Sequence, residues 1–545
     1  MERPGTIGEV KNDTRVGHGA PFLPASAGRN GFTAFEEWLT AHLDGIVLAL
    51  IAALFLYQAN RAATVHLNPD EALFYHLAHQ LSILKAYAVS TTNAHPPLMI
   101  VFLQSWIKLN SSEIFLRLPS ILAYCVFLWF LYRWALLALG PAAGLAAAVI
   151  AAFVPPIFNL AVEVRPYTIL LCSMSGAMWT MERAFYEKSF PDQSLKWTGT
   201  GIAFLYLAIL SHYSALYFVS AFGVYCLIRI WQGALSAAAV KLWIAGQIVG
   251  VGIYAILYVT HISHLHNSGL EQEAQQGWLR PFYWQRGDDA IQYLIVNTRG
   301  LLEYLFGSPW AGVIAGVLVL AALALLLRRN RELLAVTLLP WILYAAAALR
   351  GLYPYGGTRH GVFLTFSLVI ACSVTLAAAA QKKLWILSAL LVLLVPVWRS
   401  TAIPDGQFLP DERQKREFMV DAVNYLRTSV PPGGLVFADY ESSLLLCYYY
   451  DPTKFCFNDS GEHFWRSELG GIRLVTSKIW SLDPARFVQE LAILKAQYDV
   501  KPGAALWSFQ GGWDFPVYRR LRYGRDPLPG VRGFGENIGV FRIPN

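Results

Sequence analysis

The sequence predicts a polytopic α-helical membrane protein with a small α/β domain at its C-terminal end. Of the 545 residues, 55% are hydrophobic and only 14% are charged, whereas soluble proteins carry about a quarter charged residues. Apolar runs long enough to cross a bilayer recur between Asp44 and Trp398, and from about Pro404 the composition becomes mixed. The net charge of +7 is scattered along the chain, so nothing indicates nucleic-acid binding.

The chain opens with a polar stretch that precedes the apolar segments. Residues 1–30 are rich in Gly, Pro and charge and predict a disordered cytoplasmic tail. Residues 32–43 place apolar side chains near helical spacing, which predicts an interfacial helix. We therefore treat residues 1–43 as one segment, and residues 44–400 as the membrane domain that follows it.

Apolar periodicity predicts about eleven membrane-spanning helices. Their approximate ranges are 44–60, 118–132, 142–160, 166–182, 198–212, 214–230, 242–260, 309–327, 333–349, 361–379 and 384–398. Residues 97–109 are apolar but too short for an ordinary crossing, so we expect a helix that dips into the interface. Residues 71–88 predict an amphipathic helix on the membrane surface.

The distribution of basic residues sets the expected orientation, since Lys and Arg concentrate in cytoplasmic turns. With the N-terminus inside, every inner turn contains basic residues, as the positive-inside rule requires. These are Arg133, Arg183, Lys188, Lys196, Arg229, Lys241, Arg328, Arg329, Arg331, Lys382 and Lys383. The loop after the first span and the C-terminal domain then lie outside the cytoplasm.

A polar cluster follows the first predicted span. Residues 70–95 contain Asp70, Glu71, His76, His79, Lys85 and His95. Asp70 and Glu71 can be explained as helix-capping carboxylates, or as a general base that deprotonates an acceptor hydroxyl. Adjacent helical residues point about 100° apart, so we expect only one of the two to face a reaction, and Asp70 is nearer the turn.

Other polar residues are expected on the same side of the membrane. Glu163 and Arg165 are explained either by a local ion pair or by roles as a second acidic group and a phosphate contact. His95 and His212 are packing residues or ligand contacts. Arg359 and His360 follow Gly356-Gly357, where the backbone can approach a ligand closely. Arg359 is a phosphate contact or an interfacial anchor.

Residues 401–545 are predicted to form an extracytoplasmic α/β domain. A helix over 411–428, a strand over 435–438 and a helix including 442–450 alternate in the sequence. Cys447 and Cys456 lie in this domain, and a disulfide between them is feasible if the domain is outside the cytoplasm.

Together these residues resemble the GT-C glycosyltransferase superfamily. The likeness is to its bacterial branch of lipid A aminoarabinose transferases and lipopolysaccharide-core galacturonosyltransferases, and to protein O-mannosyltransferases. The matching segments are Asp70-Glu71-Ala72, His95-Pro96-Pro97-Leu98, Leu116-Arg117-Leu118-Pro119-Ser120, Glu163-Val164-Arg165-Pro166-Tyr167 and Arg359-His360. The last pair departs from a more usual Arg-Tyr.

The resemblance implies an inverting transfer of a sugar from a polyprenyl-phosphate donor to a hydroxyl of a glycan, glycolipid or protein. Asp70 would be the base, with Glu71 and Glu163 as further acidic groups. The implied substrate-binding residues are Lys85, His95, Arg165, Tyr167, His212, Arg359 and His360. The resemblance leaves open a divalent cation near Asp70 and Glu163. It also implies a place in the inner membrane of a bacterium.

Two other classes of protein compete with an enzyme. A transporter or flippase for a lipid-linked glycan would carry charges at mid-membrane, and such folds often show inverted repeats. The predicted spans are nearly uncharged at their centres, and no internal repeat is visible. A membrane scaffold that presents the C-terminal domain would leave the polar cluster of residues 70–95 unexplained.

Overall fold

A computed structural model describes most of the chain after residue 30. The described residues are 31–266, 275–399, 411–457, 459–498, 505–513, 516–523 and 530–543. The predicted tail over 1–30 lies outside the described residues, and so does the predicted boundary at 400.

One long helix opens the described chain. Helix α1 runs without interruption over Gly31–Thr64. The predicted interfacial helix over 32–43 and the predicted first span are therefore parts of a single element. No proline interrupts this stretch, and Leu39, Leu43 and Val47 are buried at helical spacing, so one face of α1 packs against the bundle along both parts.

Three short helices follow α1 and contain the polar cluster: α2 (Pro69–Ala78), α3 (Ile83–Ser90) and α4 (Leu98–Trp106). The prediction of one helix over 71–88 is wrong, because α2 ends at Ala78 and the Ser82 side chain accepts a hydrogen bond from Lys85 N to cap a new helix. The short helix expected within 97–109 is confirmed as α4.

Most of the remaining helices of the membrane domain overlap the predicted spans. Their bounds are α5 Glu113–Leu139, α6 Pro141–Phe153, α7 Pro155–Leu160, α8 Tyr167–Tyr186, α9 Pro191–Ser211, α10 Ala215–Trp231, α11 Ala237–Leu257, α12 Ser263–His266, α13 Ala290–Phe306, α14 Pro309–Arg329, α15 Arg331–Leu349, α16 Thr365–Ala379 and α17 Leu384–Arg399. In the described residues, six helices are long and apolar enough to cross a membrane.

Two predictions for the membrane domain differ from the structure. The predicted span over 142–160 is two helices, since Pro155 begins α7 directly after α6 ends. The predicted loop over 261–305 contains α13, an amphipathic helix capped by Asp289. Because α13 contains polar residues among its hydrophobic ones, it was not recognised as a helix beside the long apolar runs on either side.

Small residues allow the bundle to pack closely. Helix α6 is mostly alanine and is buried along nearly its whole length. It follows Gly140, whose φ of 97° lies in the region that glycine adopts without strain. This residue reverses the chain between α5 and α6, so that the two helices pack against each other.

The C-terminal residues form the expected α/β domain. Its helices are α18 (Arg416–Ser429), α19 (Tyr440–Tyr450), α20 (Pro484–Gln497) and α21 (Pro516–Tyr523). The strands are β1 (Leu435–Ala438), β2 (Asp459–Ser460), β3 (Phe464–Leu469), β4 (Ile472–Ser477), β5 (Leu506–Gly511), β6 (Arg532–Phe534) and β7 (Ile538–Ile543). In the described residues these form one sheet in the order β2-β3-β4-β1-β5-β7-β6.

Strand β1 is central and pairs in parallel with β4 and β5, whereas the outer pairs are antiparallel. Cys447 and Cys456 are joined in a disulfide, as the sequence allowed. This bridge links α19 to the segment that follows it.

Candidate active site

Asp70 lies between two arginines that come from distant parts of the chain. Its Oδ2 is 2.6 Å from Nη1 of Arg359 and 3.4 Å from Nη1 of Arg165. The Asp70 side chain is 18% exposed, and both arginine side chains are more buried than that. The structure therefore brings these three predicted site residues to one partly open rim.

The two arginines determine the charge state of Asp70. Burial alone would raise the pKa of this carboxyl, but the guanidinium groups of Arg165 and Arg359 outweigh burial and hold it below its usual range. Asp70 is therefore ionised at neutral pH.

Asp70 is placed by the start of α2. Pro69 occupies the first turn, and Asn68 and Glu71 form a capping box, in which each side chain accepts a hydrogen bond from the other residue's backbone N–H. Asp70 therefore projects from the first turn of a well-capped helix.

Glu71 points away from this rim into the protein. Its carboxylate receives two 2.7 Å hydrogen bonds from the guanidinium of Arg117, and the two side chains are only 1% and 2% exposed. Its Oε1 also accepts from the backbone N–H of Val164 at 3.0 Å. The geometry gives Glu71 a structural position and does not favour the catalytic role predicted for it.

Arg117 has a structural role that was not predicted from the sequence. Besides Glu71, it donates to the carbonyl oxygens of Ala62, Val65 and His66. The signal in the sequence is the charged side chain of Arg117 inside the otherwise uncharged Leu116–Ser120 segment. Ser120 of the same segment donates to the carbonyl of Arg165 at 3.2 Å, so this segment fixes the loop that carries Glu163 and Arg165.

Glu163 is a buried carboxyl that, unlike Glu71, has no ion pair with an arginine in the part of the chain that the structure describes. Glu163 is 6% exposed, and its Oε2 atom has no hydrogen-bond partner among the described residues. Burial raises the pKa of Glu163 to about 7, although the nearby guanidinium of Arg359 acts in the opposite direction. Asp70 and Glu163 therefore have carboxyl groups with opposite pKa shifts at one site.

His95 contacts Arg165 directly. Its Nε2 is 3.2 Å from Nη2 of Arg165, and because a guanidinium only donates, Nε2 must accept. The proton of the neutral ring then sits on Nδ1, which has no partner among the described residues. Burial and the charge of Arg165 keep the pKa of His95 well below its usual value, so this imidazole is neutral.

His212 and Tyr167 complete the wall around His95. The ring centroid of His212 lies 5.0 Å from that of His95 and 5.2 Å from that of Tyr167. Nδ1 of His212 accepts from the backbone N–H of Ser214 at 3.1 Å, which leaves its proton on Nε2. In the described residues, Nε2 of His212 and Nε of Arg165 are buried without a partner.

Three unused N–H donors therefore lie in one buried group: Nδ1 of His95, Nε2 of His212 and Nε of Arg165. Buried donors normally find an acceptor within the protein or a ligand. A guanidinium with two imidazole N–H groups suits an anionic oxygen group such as a phosphate.

His360 lies beside Arg359 at the rim. Its ring centroid is 5.9 Å from those of Trp278 and Tyr353. The Gly356-Gly357 pair is needed for close packing within the protein, and the close approach of a ligand there stays a prediction. A Cβ on Gly356 would lie 2.6 Å from Oδ1 of Asn297, and one on Gly357 would lie 2.7 Å from the carbonyl of Gly300. The glycines allow the turn to pack on α13.

Lys85 is not part of the cluster. It lies exposed on α3. Leu81 and Leu84 beside it are 89% and 82% exposed. A role in binding a phosphate at the membrane surface stays a prediction for this residue.

The ligand set for a divalent cation is incomplete. Within the described residues, no group of three His, Cys, Asp or Glu side chains is close enough to hold a metal ion. Asp70 already faces two guanidinium groups. The described side chains thus do not assemble a three-ligand set, and the cation that the resemblance leaves open stays a prediction.

The comparisons agree with the family resemblance. Residues 94–258 match the family model described as dolichyl-phosphate-mannose-protein mannosyltransferase. No curated protein matches the chain by sequence.

The fold is similar to that of ArnT from Cupriavidus metallidurans in two crystal structures. The apo structure has a TM-score of 0.51 at 12% identity and covers 92% of this chain and 98% of ArnT. The structure bound to undecaprenyl phosphate has a TM-score of 0.54 at 12% identity and covers 91% and 98%. The chain is thus a multi-pass membrane protein with a C-terminal sheet domain, and its resemblance to GT-C glycosyltransferases of the ArnT kind is confirmed.

Proposed function

We propose that this protein transfers a sugar from a polyprenyl-phosphate donor to an acceptor hydroxyl, with inversion at the anomeric carbon, on the extracytoplasmic face of a bacterial inner membrane. One observation carries the proposal. An ionised carboxylate, Asp70, is held by Arg165 and Arg359 next to a buried group of unused N–H donors.

The carboxylate is the proton acceptor in this reaction. The hydroxyl of the acceptor gives its proton to Asp70, and its oxygen attacks the anomeric carbon from the face opposite the phosphate. The bond between that carbon and the phosphate oxygen breaks, and the lipid phosphate leaves with the bonding electron pair. Attack from the opposite face inverts the anomeric centre.

The cationic side of the rim stabilises the leaving phosphate. Arg165 and Arg359 supply positive charge, while the N–H groups of His95 and His212 donate to phosphate oxygens. Tyr167 lies against the guanidinium of Arg165, with its ring centroid 5.6 Å from Cζ. His360 beside Arg359 belongs to the same binding surface. These donors are already in place and need no rearrangement when charge develops.

The ArnT structure with undecaprenyl phosphate supports a lipid-linked donor, since that protein has the same fold. The acceptor hydroxyl belongs to a glycan, a glycolipid or a protein. A glycolipid of the cell envelope is the acceptor class that the ArnT likeness favours.

The test compares cells that lack the protein with cells that carry wild-type protein, Asp70→Asn or Asp421→Asn. Asp421 is exposed on α18 and is the matched control. Mass spectrometry of envelope glycolipids and glycoproteins should show a sugar adduct with wild type and Asp421→Asn. We expect it to fall by at least about a hundredfold in Asp70→Asn.

A purified sample separates the enzyme from a flippase. Protein reconstituted in vesicles should release undecaprenyl phosphate from an undecaprenyl-phosphate sugar when the extracted acceptor fraction is added. A folded Asp70→Asn protein that transfers as fast as wild type would contradict the proposal. So would movement of the donor lipid between leaflets without any transfer.

A further inference from the structure

The sheet of the C-terminal domain has a point where its chain connections diverge. From β1 the chain leads to β4 on one side, and from β5 it leads to β7 on the other. In open sheets with parallel central strands, ligand sites form outside the carboxyl ends of the strands at such a point. The residues that follow β1 and β5 there are Asp439 and Gly512-Trp513.

This edge of the sheet is held against the helix that carries Asp70. Helix α19, which follows β1, packs on α2. The hydroxyl of Tyr449 accepts from the backbone N–H of Leu67 at 2.8 Å, and that of Tyr448 donates to the carbonyl of Ser111 at 2.6 Å. The ring of His76 donates from Nε2 to the carbonyl of Leu444 at 2.9 Å. The C-terminal domain is therefore fixed beside the candidate active site.

Trp513 extends from this edge to Arg359. The Cζ atom of Arg359 lies 5.5 Å from the centroid of the indole ring, which is within the range of a cation–π interaction. The turn that presents Trp513 needs glycine at 512, because a Cβ there would lie 2.4 Å from Oε1 of buried Glu441.

The two arginines of the site differ in how they are held. Arg165 contacts Asp70, His95 and Tyr167, and its guanidinium also lies over the ring of Phe74. Arg359 donates a hydrogen bond to Asp70 and makes a cation–π contact with Trp513. The contact with the indole does not depend on the charge of Asp70.

We propose that Trp513 is a positioning residue that holds the guanidinium of Arg359 against Asp70, so that the C-terminal domain completes the active site. This inference rests on the proposed sugar transfer. Its physical basis is the indole face, which restricts the guanidinium to one orientation without taking any of its N–H donors. Those donors stay available for Asp70 and for the leaving phosphate.

The experiment uses the full-length protein in vesicles with Trp513→Leu and Trp513→Phe. Leu removes the aromatic face and keeps an apolar side chain, whereas Phe keeps a smaller face. Trp507→Leu is the matched control, because Trp507 lies on β5, the strand that leads to Trp513, is partly buried and packs against Tyr425. If Trp513→Leu lowers activity only by destabilising the C-terminal domain, Trp507→Leu should lower activity as well.

We expect Trp513→Leu to lower kcat by about tenfold with a smaller change in KM for the donor, and Trp513→Phe to recover most of the rate. The second readout is the pH profile. When the Arg359 charge is no longer held against Asp70, the pKa of Asp70 rises, so the acid limb of kcat/KM moves to higher pH in Trp513→Leu and stays in place in Trp507→Leu.

Equal rates and acid limbs in wild type and Trp513→Leu would overturn the inference, and so would an equal loss in both Leu variants without a shift of the acid limb. Asp70→Asn and Arg359→Lys, measured alongside, test the function separately. If these two are inactive while Trp513→Leu behaves like wild type, only the inference fails. If Asp70→Asn keeps the wild-type rate, the proposed function fails.

Discussion

Glu71 and Arg117 form a fully buried ion pair in which both carboxylate oxygens meet the guanidinium at 2.7 Å. The pair joins the start of α2 to α5, and Val164 adds the loop of Glu163 and Arg165 through its N–H. Asp70 and Arg165 are thus placed relative to each other by a pair that lies behind them. Glu71 therefore helps to hold Asp70 in position.

Breaking this pair should destabilise the protein strongly. Arg117→Met leaves the Glu71 carboxylate buried without its cation, and breaking a buried pair in this way costs about 3–5 kcal/mol. Arg413→Met is the control, since the Arg413–Glu536 pair has side chains that are 42% and 65% exposed. An exposed pair contributes about 0–1 kcal/mol.

Denaturant unfolding of the purified protein, followed by tryptophan fluorescence, measures the difference. We expect the midpoint for Arg117→Met to fall clearly below that of Arg413→Met. Equal midpoints for the two variants would mean that the buried pair does not stabilise the fold.

The stability of the protein should depend on the charge of Glu163. The folded-state pKa is raised to about 7 from an ordinary value near 4.5, so the folded state favours the protonated carboxyl. The stabilising effect of this proton is complete below the ordinary pKa and is lost as pH rises to about 7. A shift of this size corresponds to about 3 kcal/mol.

The comparison is between wild type and Glu163→Gln, which keeps the shape of the carboxyl and has no charge. The free energy of unfolding should be similar for the two proteins at about pH 4.5. Wild type should then become progressively less stable than the variant up to about pH 7. A difference that does not change with pH over this interval would contradict the raised pKa.

The sequence predicted the helices of the membrane domain well because each apolar run is bounded by polar residues. It did not predict the break between α2 and α3, since the Ser82 cap depends on a local hydrogen bond. It also missed α13, whose amphipathic pattern lies between two long apolar segments.

For the site, the sequence placed Asp70, Glu163, His95, Arg165 and Arg359 on one side, and the structure brings them together. Trp513 could not be found in this way, because its position depends on the docking of the C-terminal domain. Glu71 looked like a reactive group only because the sequence does not show that Arg117 lies opposite it.

His95 should contribute to the binding of a lipid phosphate. In His95→Phe the ring shape is largely kept, but the Nδ1 donor is lost and Arg165 loses a partner. A hydrogen bond to a charged group contributes about 1.5–3 kcal/mol, so we expect the affinity for undecaprenyl phosphate to fall at least about tenfold. Equilibrium binding to protein in nanodiscs measures this, with the exposed His463→Phe as control. Unchanged affinity in His95→Phe would exclude His95 from the phosphate site.

The disulfide between Cys447 and Cys456 should stabilise the contact between the C-terminal domain and α2. The segment that it closes carries Pro452, whose carbonyl accepts a hydrogen bond from Tyr75, and Phe457, whose ring lies 5.5 Å from that of His76, directly follows Cys456. Closing a loop of this length contributes about 2–3 kcal/mol. We therefore expect the double variant Cys447→Ser/Cys456→Ser to unfold at a lower denaturant concentration than wild type.

A second measurement tests the compartment in which this bridge forms. Protein from intact cells that are lysed in the presence of a maleimide reagent should show Cys447 and Cys456 unlabelled until a reductant is added, because disulfides persist in oxidising compartments. The buried cysteines Cys226 and Cys372 are the reference, since they are free thiols that react after denaturation without reduction. Labelling of Cys447 and Cys456 in denatured, unreduced protein would place the domain on the cytoplasmic side and contradict the proposed orientation.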